Sequence, residues 1–213
     1  MSGVLVTFEG TEGCGKSTQS HLLTRHLEAL GHTVVQTREP GGVPLGEAIR
    51  ELLLDPANTD MAPTTELLLY EAARAQHVHE LIRPALDAGS IVICDRFFDS
   101  TTAYQGAGRQ LPEIELQRLH DLATGSLNPD ITIFLDIPVE EGLTRAAKVS
   151  DPDRIEQETV SFHRRVRQGF VDLAAQQPDR IRTVDATASV EDIAHTISGL
   201  VDPIVERLVA GSS

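Results

Sequence analysis

Val4-Leu5-Val6-Thr7-Phe8-Glu9-Gly10-Thr11-Glu12-Gly13-Cys14-Gly15-Lys16-Ser17-Thr18 decides the fold. A β-branched apolar run, Val4–Phe8, leads straight into Gly-x-x-x-x-Gly-Lys-Ser over Gly10–Ser17, and an amphipathic stretch follows. Glycines let the backbone curl so that successive N–H groups point inward. The start of the next helix adds its positive end to the same concavity, which then fits a phosphate. Residues 10–18 are therefore the expected ATP-binding segment: Gly10, Thr11, Glu12, Gly13, Cys14, Gly15, Lys16, Ser17 and Thr18. Within it, Lys16 neutralises the β/γ-phosphates and Ser17 ligates Mg²⁺.

Outward from this loop, short apolar runs alternate with long amphipathic ones. Val4–Phe8, Thr33–Thr37, Ser90–Cys94, Ile131–Asp136 and Ile181–Asp185 read as strands. Helices are expected near 16–30, 45–54, 64–88, 99–105, 112–125, 139–148, 154–177 and 189–208. Alternation of this kind gives an α/β fold: a three-layer sandwich with a five-stranded parallel sheet between helices. Ile91–Cys94 and Ile131–Leu135 are apolar almost throughout, as strands covered on both faces must be. Gly31 reads as a helix-ending glycine and Ser189 with Asp192 as a helix start, and Pro84 should kink or split the 64–88 segment. Residues 1–213 read as one domain, with a short lid around 145–155 where the polar, turn-prone Val149–Asp153 interrupts two helices. The Ser/Gly tail at 211–213 is expected to fray.

Composition excludes several classes. The chain has 213 residues and a net charge of −14, which opposes any nucleic-acid polymer. No apolar run approaches the roughly 18 residues of a membrane span. Two cysteines, Cys14 and Cys94, make no disulfide framework, and a reducing, cytoplasmic setting is expected. The basic residues are sixteen arginines and only two lysines, Lys16 and Lys148.

The loop names a nucleotide, and other residues narrow the chemistry. No lysine follows an asparagine, so the Asn-Lys-x-Asp reader of guanine is missing. Where a hydrolytic ATPase commonly places Asp-Glu, the strand here ends Ile93-Cys94-Asp95-Arg96. An arginine at the mouth of a sheet suits an acceptor that is itself a phosphate, because its planar fork takes two oxygens at once. These features point to a kinase of small phosphorylated acceptors.

Arg38-Glu39-Pro40-Gly41-Gly42, Asp95-Arg96-Phe97, Ala103-Tyr104-Gln105-Gly106 and Asp153-Arg154-Ile155-Glu156-Gln157-Glu158 resemble the motifs of bacterial thymidylate kinases. Asn128-Pro129-Asp130-Ile131 and Val184-Asp185-Ala186-Thr187 extend the resemblance over nearly the whole chain. It implies a homodimeric enzyme that moves the γ-phosphoryl of MgATP to dTMP. By the same resemblance Glu12 binds the deoxyribose 3′-hydroxyl and Arg96 clamps the acceptor phosphate. Tyr70 stacks on the thymine, Arg74 donates to its O4, and Thr101 and Gln105 face the base. Arg38 and Pro40 line the sugar and phosphate side.

The pattern departs from the family at two places. Gly13 stands where one version of the family carries arginine, so the resemblance assigns the catalytic cation to the lid. That lid is poor in arginine, and the expectation is that Lys148 and Arg154 share the work, with Arg145 nearer the helix stem. A cation delivered there is worth roughly 10³–10⁵ in rate. Glu156 or Glu158 is expected to reach the magnesium through water.

Overall fold

The computed structural model describes residues 3–148 and 152–210. Five parallel strands form one sheet in the order β2-β3-β1-β4-β5: β1 (Val4–Glu9), β2 (Val34–Arg38), β3 (Ile91–Asp95), β4 (Ile131–Asp136) and β5 (Ile181–Asp185). Register places Val4 beside Ile91 and Val6 beside Ile131, so β1 is the central strand. The chain leaves β1 toward β2 and β3 on one side and returns to β4 on the other, which opens a crevice at the carboxyl end of β1.

Alternation along β1 supplies both inner layers. Val4, Val6 and Phe8 pack with Leu23 and Leu27 of α1 (Lys16–Ala29) and Ile197 and Val201 of α9 (Val190–Ala210). Leu5 faces the other way, with Val92, Val78, Ile82 and Phe97. Phe134 of β4 stacks on Phe170 of α8 (Val160–Gln176) in a second cluster on that face. The remaining helices are α2 (Pro44–Leu54), α3 (Pro63–His77), α4 (Arg83–Asp87), α5 (Phe98–Thr101), α6 (Glu113–Thr124) and α7 (Val139–Ala146).

The segment expected as a helix over 64–88, kinked or split by Pro84, stays helical from Pro63 to Asp87. Its hydrogen bonding widens to a π-helical turn over Val78–Ile82 before α4 resumes with Pro84 in its first turn, where a missing N–H costs least. A second π-helical stretch, Thr102–Gly108, continues α5. The helix expected from 154 begins at Val160 instead. Asp153 Oδ1 accepts the N–H groups of Ile155 and Glu156 at 2.8 and 2.9 Å, which holds a turn, and Thr159 caps α8 by accepting from Phe162 N. Gly31 has φ 90° and closes α1, while Ser189 Oγ accepts from Asp192 N at 3.1 Å at the start of α9. Of the expected lid, residues 149–151 lie outside the described residues, as does the 211–213 tail. No helix among the described residues is long and apolar enough to cross a membrane.

Candidate active site

At the carboxyl end of the sheet lies a cavity of about 360 Å³, lined from the P-loop, β2, α2, α3, the segment after β3, and residues 153–156. Its floor is the glycine loop. Gly13 has φ 66°, and a Cβ there would meet the Gly142 carbonyl oxygen of α7 at 2.0 Å. This backbone leaves no room for an arginine at position 13. Gly15, at φ 93°, turns the chain into α1. Lys16 is 8% exposed, and its Nζ donates to the carbonyls of Gly10 and Thr11 at 3.1 and 2.9 Å and to Cys14 Sγ at 3.4 Å. Cys14 is buried, as is Cys94, whose thiol is pushed well up by burial and by the nearby Glu39, Asp95 and Glu9 carboxylates.

Ser17 Oγ donates to Asp95 Oδ2 at 2.8 Å, so the end of β3 and the start of α1 present two oxygens together at the cavity. Magnesium takes oxygen ligands, and this pair fits it. Glu156 also lines the cavity, its carboxyl raised by burial and by Asp153 and Glu12. Glu158 instead pairs with Arg109, away from the lining.

Glu12 is buried and accepts a hydrogen bond from Tyr104 Oη. Burial alone would raise its carboxyl. His163 Nδ1 at 3.2 Å, Arg96, Lys16 and Tyr104 together outweigh that and hold it at about 2. Arg96 Nη2 is 3.5 Å from Glu12 Oε1, its guanidinium lies 5.0 Å over the Tyr104 ring, and its Nη1 donates to Gly10 O and Ser100 Oγ, each at 3.0 Å. The carboxylate and the arginine expected to face the acceptor are therefore one connected unit.

Arg38 lines the mouth and pairs with Glu47 at 3.0 Å, beside the buried Pro40. Sequence reasoning missed Arg50 of α2, which lines the same cavity and donates to Pro40 O at 2.8 Å. Burial and the neighbouring Arg38 and Arg96 charges lower its affinity for a proton, a repulsion that an anion would relieve. Its signal was its position on the polar side of a helix that directly follows the Arg38–Gly42 motif.

Tyr70, Arg74, Thr101 and Gln105 share one wall. Arg74 is fixed: Nε donates to Glu39 at 2.8 Å, Nη1 to Glu71 at 2.7 Å, and Nη2 to Phe97 O and Thr101 Oγ1. Of its five N–H groups one, on Nη1, has no partner among the described residues. The Gln105 amide is oriented by Glu66 at 2.8 Å. Glu39, His77 and Cys94 lie close together behind this wall, with Glu39 occupied by Arg74 and by His77 Nδ1 at 3.0 Å.

The two expected lid cations separate. Lys148 is exposed, in the turn after α7. Arg154 is 8% exposed and is held to α2 and α3: its Nε donates to Leu53 O at 2.7 Å and its Nη2 lies 2.6 Å from Glu66 Oε2. It is not among the residues lining the cavity, so this structure does not bring it to Lys148 as the shared catalytic finger that was expected. Arg145 sits on the stem as expected, donating to Ala186 O at 3.0 Å.

A family model described as thymidylate kinase matches residues 8–197. A thymidylate kinase of Geotalea uraniireducens is 49% identical, over 98% of this chain and 100% of its own. One of Thermomicrobium roseum is 52% identical, over 95% and 96%. The crystal structure of thymidylate kinase from Ehrlichia chaffeensis aligns with a TM-score of 0.79 at 33% identity, covering 94% of this chain and 100% of that one.

Proposed function

The chain belongs to the thymidylate kinase family, and from that premise we propose which side chains carry the transfer of the γ-phosphoryl group of ATP to dTMP. The observation that bears most weight is the joining of two phosphate sites in one cavity: Lys16 and the glycine loop on one side, Arg96, Arg38 and Arg50 on the other. One site suits the polyphosphate of ATP and the other a monophosphate ester.

In this reading the backbone N–H groups of Gly13–Thr18 and Lys16 Nζ bind the β/γ-phosphates. Ser17 and Asp95 would hold the magnesium, which when bound offsets phosphate charge, with Glu156 as the further carboxyl of the same lining. Arg96, supported by Arg38 and Arg50, fixes the dTMP phosphate in line with the γ-phosphoryl. Glu12, ionised at neutral pH, accepts the sugar hydroxyl. Tyr70 stacks on thymine while Arg74, Thr101 and Gln105 read its edge. Lys148 supplies the lid cation over the transferred group. Held alignment of the two substrates is the main source of rate, since the transferring group needs little covalent help.

A homodimer in the cytoplasm is part of the same proposal. Leu52 of α2, Leu68 of α3 and Leu122 of α6 are 53%, 51% and 80% exposed, apolar surface suited to a second copy.

The test is ADP formation from MgATP with dTMP, dUMP, dGMP, AMP, CMP or UMP, beside a control lacking acceptor. Preference for dTMP is expected. Preference for another monophosphate would sink the base-wall assignment, and ADP without any acceptor would sink the phosphotransfer reading.

A further inference from the structure

We infer that Glu9, which does not line the cavity, is a positioning residue for Arg96 and so controls binding of the acceptor's phosphate. The inference rests on the reading of Arg96 as the phosphate clamp.

Arg96 has φ 71°, a left-handed conformation that a non-glycine residue holds only when its surroundings impose it. The imposition is visible on both sides of the residue. Arg96 N donates to Phe8 O at 2.8 Å, and the next N–H, of Phe97, donates to Glu9 Oε1 at 2.7 Å. The same oxygen takes Ser100 N at 3.2 Å, and Ser100 Oγ donates to Glu9 Oε2 at 2.5 Å. Ser100 Oγ in turn receives Arg96 Nη1 at 3.0 Å. One carboxyl thus grips the backbone just past the strained residue and, through a hydroxyl, the guanidinium itself.

Glu9 is wholly buried, a costly place for a carboxyl unless it is bonded. It also immediately precedes Gly10, whose carbonyl takes the same Arg96 Nη1. Arg96 Nη1 thus ties the acceptor arginine to the start of the loop that receives the donor phosphates, and the Glu9 side chain holds the arginine's end of that tie. Misplacement of either substrate by about 1 Å would cost on the order of 10² in rate, so this spacing matters to the reaction.

The experiment is steady-state kinetics with ATP and dTMP varied separately, plus thermal unfolding, on Glu9→Ala, Glu9→Gln, Ser100→Ala, Arg96→Ala and the double variant E9A/R96A. Glu9→Ala is expected to raise KM for dTMP roughly tenfold or more with KM for ATP changed less than about twofold. Glu9→Gln retains a carbonyl acceptor for both N–H groups, and its amide N–H donates to Ser100 Oγ in place of the bond the hydroxyl donated, so it should recover most of the loss. The double variant should bind dTMP no worse than Arg96→Ala alone. Ser100→Ala breaks the link without orphaning a backbone N–H, and should raise the same KM even where Glu9→Ala fails to fold. Folded Glu9→Ala and Ser100→Ala with unchanged dTMP KM, equal rises in both KM values, or fully additive effects with Arg96→Ala would overturn the inference. An Arg96→Ala enzyme with normal dTMP KM would instead remove the clamp reading beneath it.

Discussion

Glu9 and Glu12 are three residues apart and both buried, yet their environments push them in opposite directions. Burial, then Asp99, raise the Glu9 carboxyl to about 8 against the pull of Ser100, Arg96 and Phe97 N. The unfolded chain releases this proton near 4.5 while the folded chain keeps it, so Glu9 makes stability fall as pH rises from about 4.5 to 8. Glu12 has the reverse sign: its contribution is complete above about 4.5 and is lost as pH falls toward 2. Urea midpoints should show Glu9→Gln gaining on the wild type as pH rises through the first window. Glu12→Gln should lose less than the wild type on acidification through the second. The lid cations divide in the same residue-by-residue way. Lys148→Ala is expected to lower kcat at least tenfold with an unchanged melting temperature, as removal of a finger should. Arg154→Ala should cost about 1–3 kcal/mol of stability, because it strips a partner from buried Glu66 and from Leu53 O. Denaturation and kinetics on the two proteins side by side check both halves, and a stable, slow Arg154→Ala would reverse the assignment.

Helices and loops interlock around the phosphate loop more tightly than the motif alone suggests. A Cβ on Gly142 of α7 would meet Glu12 O at 2.5 Å and Ile137 Cγ2 at 3.3 Å, and the first of these is backbone that cannot step aside. Gly142→Ala should therefore lower the melting temperature and raise KM for ATP by moving the loop, measured by calorimetry and by ATP titration. Unchanged values in both would show that α7 yields instead. The elements themselves were largely legible. Apolar runs such as Ile91–Cys94 and Ile131–Leu135 fitted strands covered on both faces, and each observed strand lies within one residue of its expected bounds. The π-helical turns at Val78–Ile82 and Thr102–Gly108 were not legible, because a widened turn uses the same side chains as an α-helix. The late start of α8 was in principle readable from Asp153 and Thr159, whose side chains compete with helix formation.

Taken as a whole, the molecule carries −14 yet gathers Lys16, Arg38, Arg50, Arg74 and Arg96 around one cavity. The net charge opposes long polyanions, while the cavity sets these five cations among five carboxyl residues, Glu12, Glu39, Asp95, Asp153 and Glu156, so a small anion is held there by local contacts rather than by a net positive field. What stayed hidden in the sequence was long-range. Arg154 looks like a lid cation until Glu66, 88 positions earlier, is found beside it, and Glu9 looks like the last residue of a strand until the Phe97 and Ser100 amides fold onto it. Local patterns reveal which residues a loop contains, but not which of them a distant helix has claimed. At this scale the proposed dimer makes a definite forecast: sedimentation at micromolar concentration should give about twice the 23.1 kDa of one chain, and Leu68→Asp with Leu122→Asp should give a monomer. A single-chain species in the wild type would retire that claim. The preference for arginine over lysine has a practical corollary. Only Lys16 and Lys148 offer side-chain amines, one 8% exposed and engaged by loop carbonyls, the other open to solvent. An acylating reagent should mark Lys148 quickly and Lys16 slowly, so peptide mass mapping over time gives two separate clocks in one tube. ATP should slow the second, and a bound bisubstrate analogue should slow both, making the chain its own reporter of whether the phosphate loop alone or the lid as well is engaged.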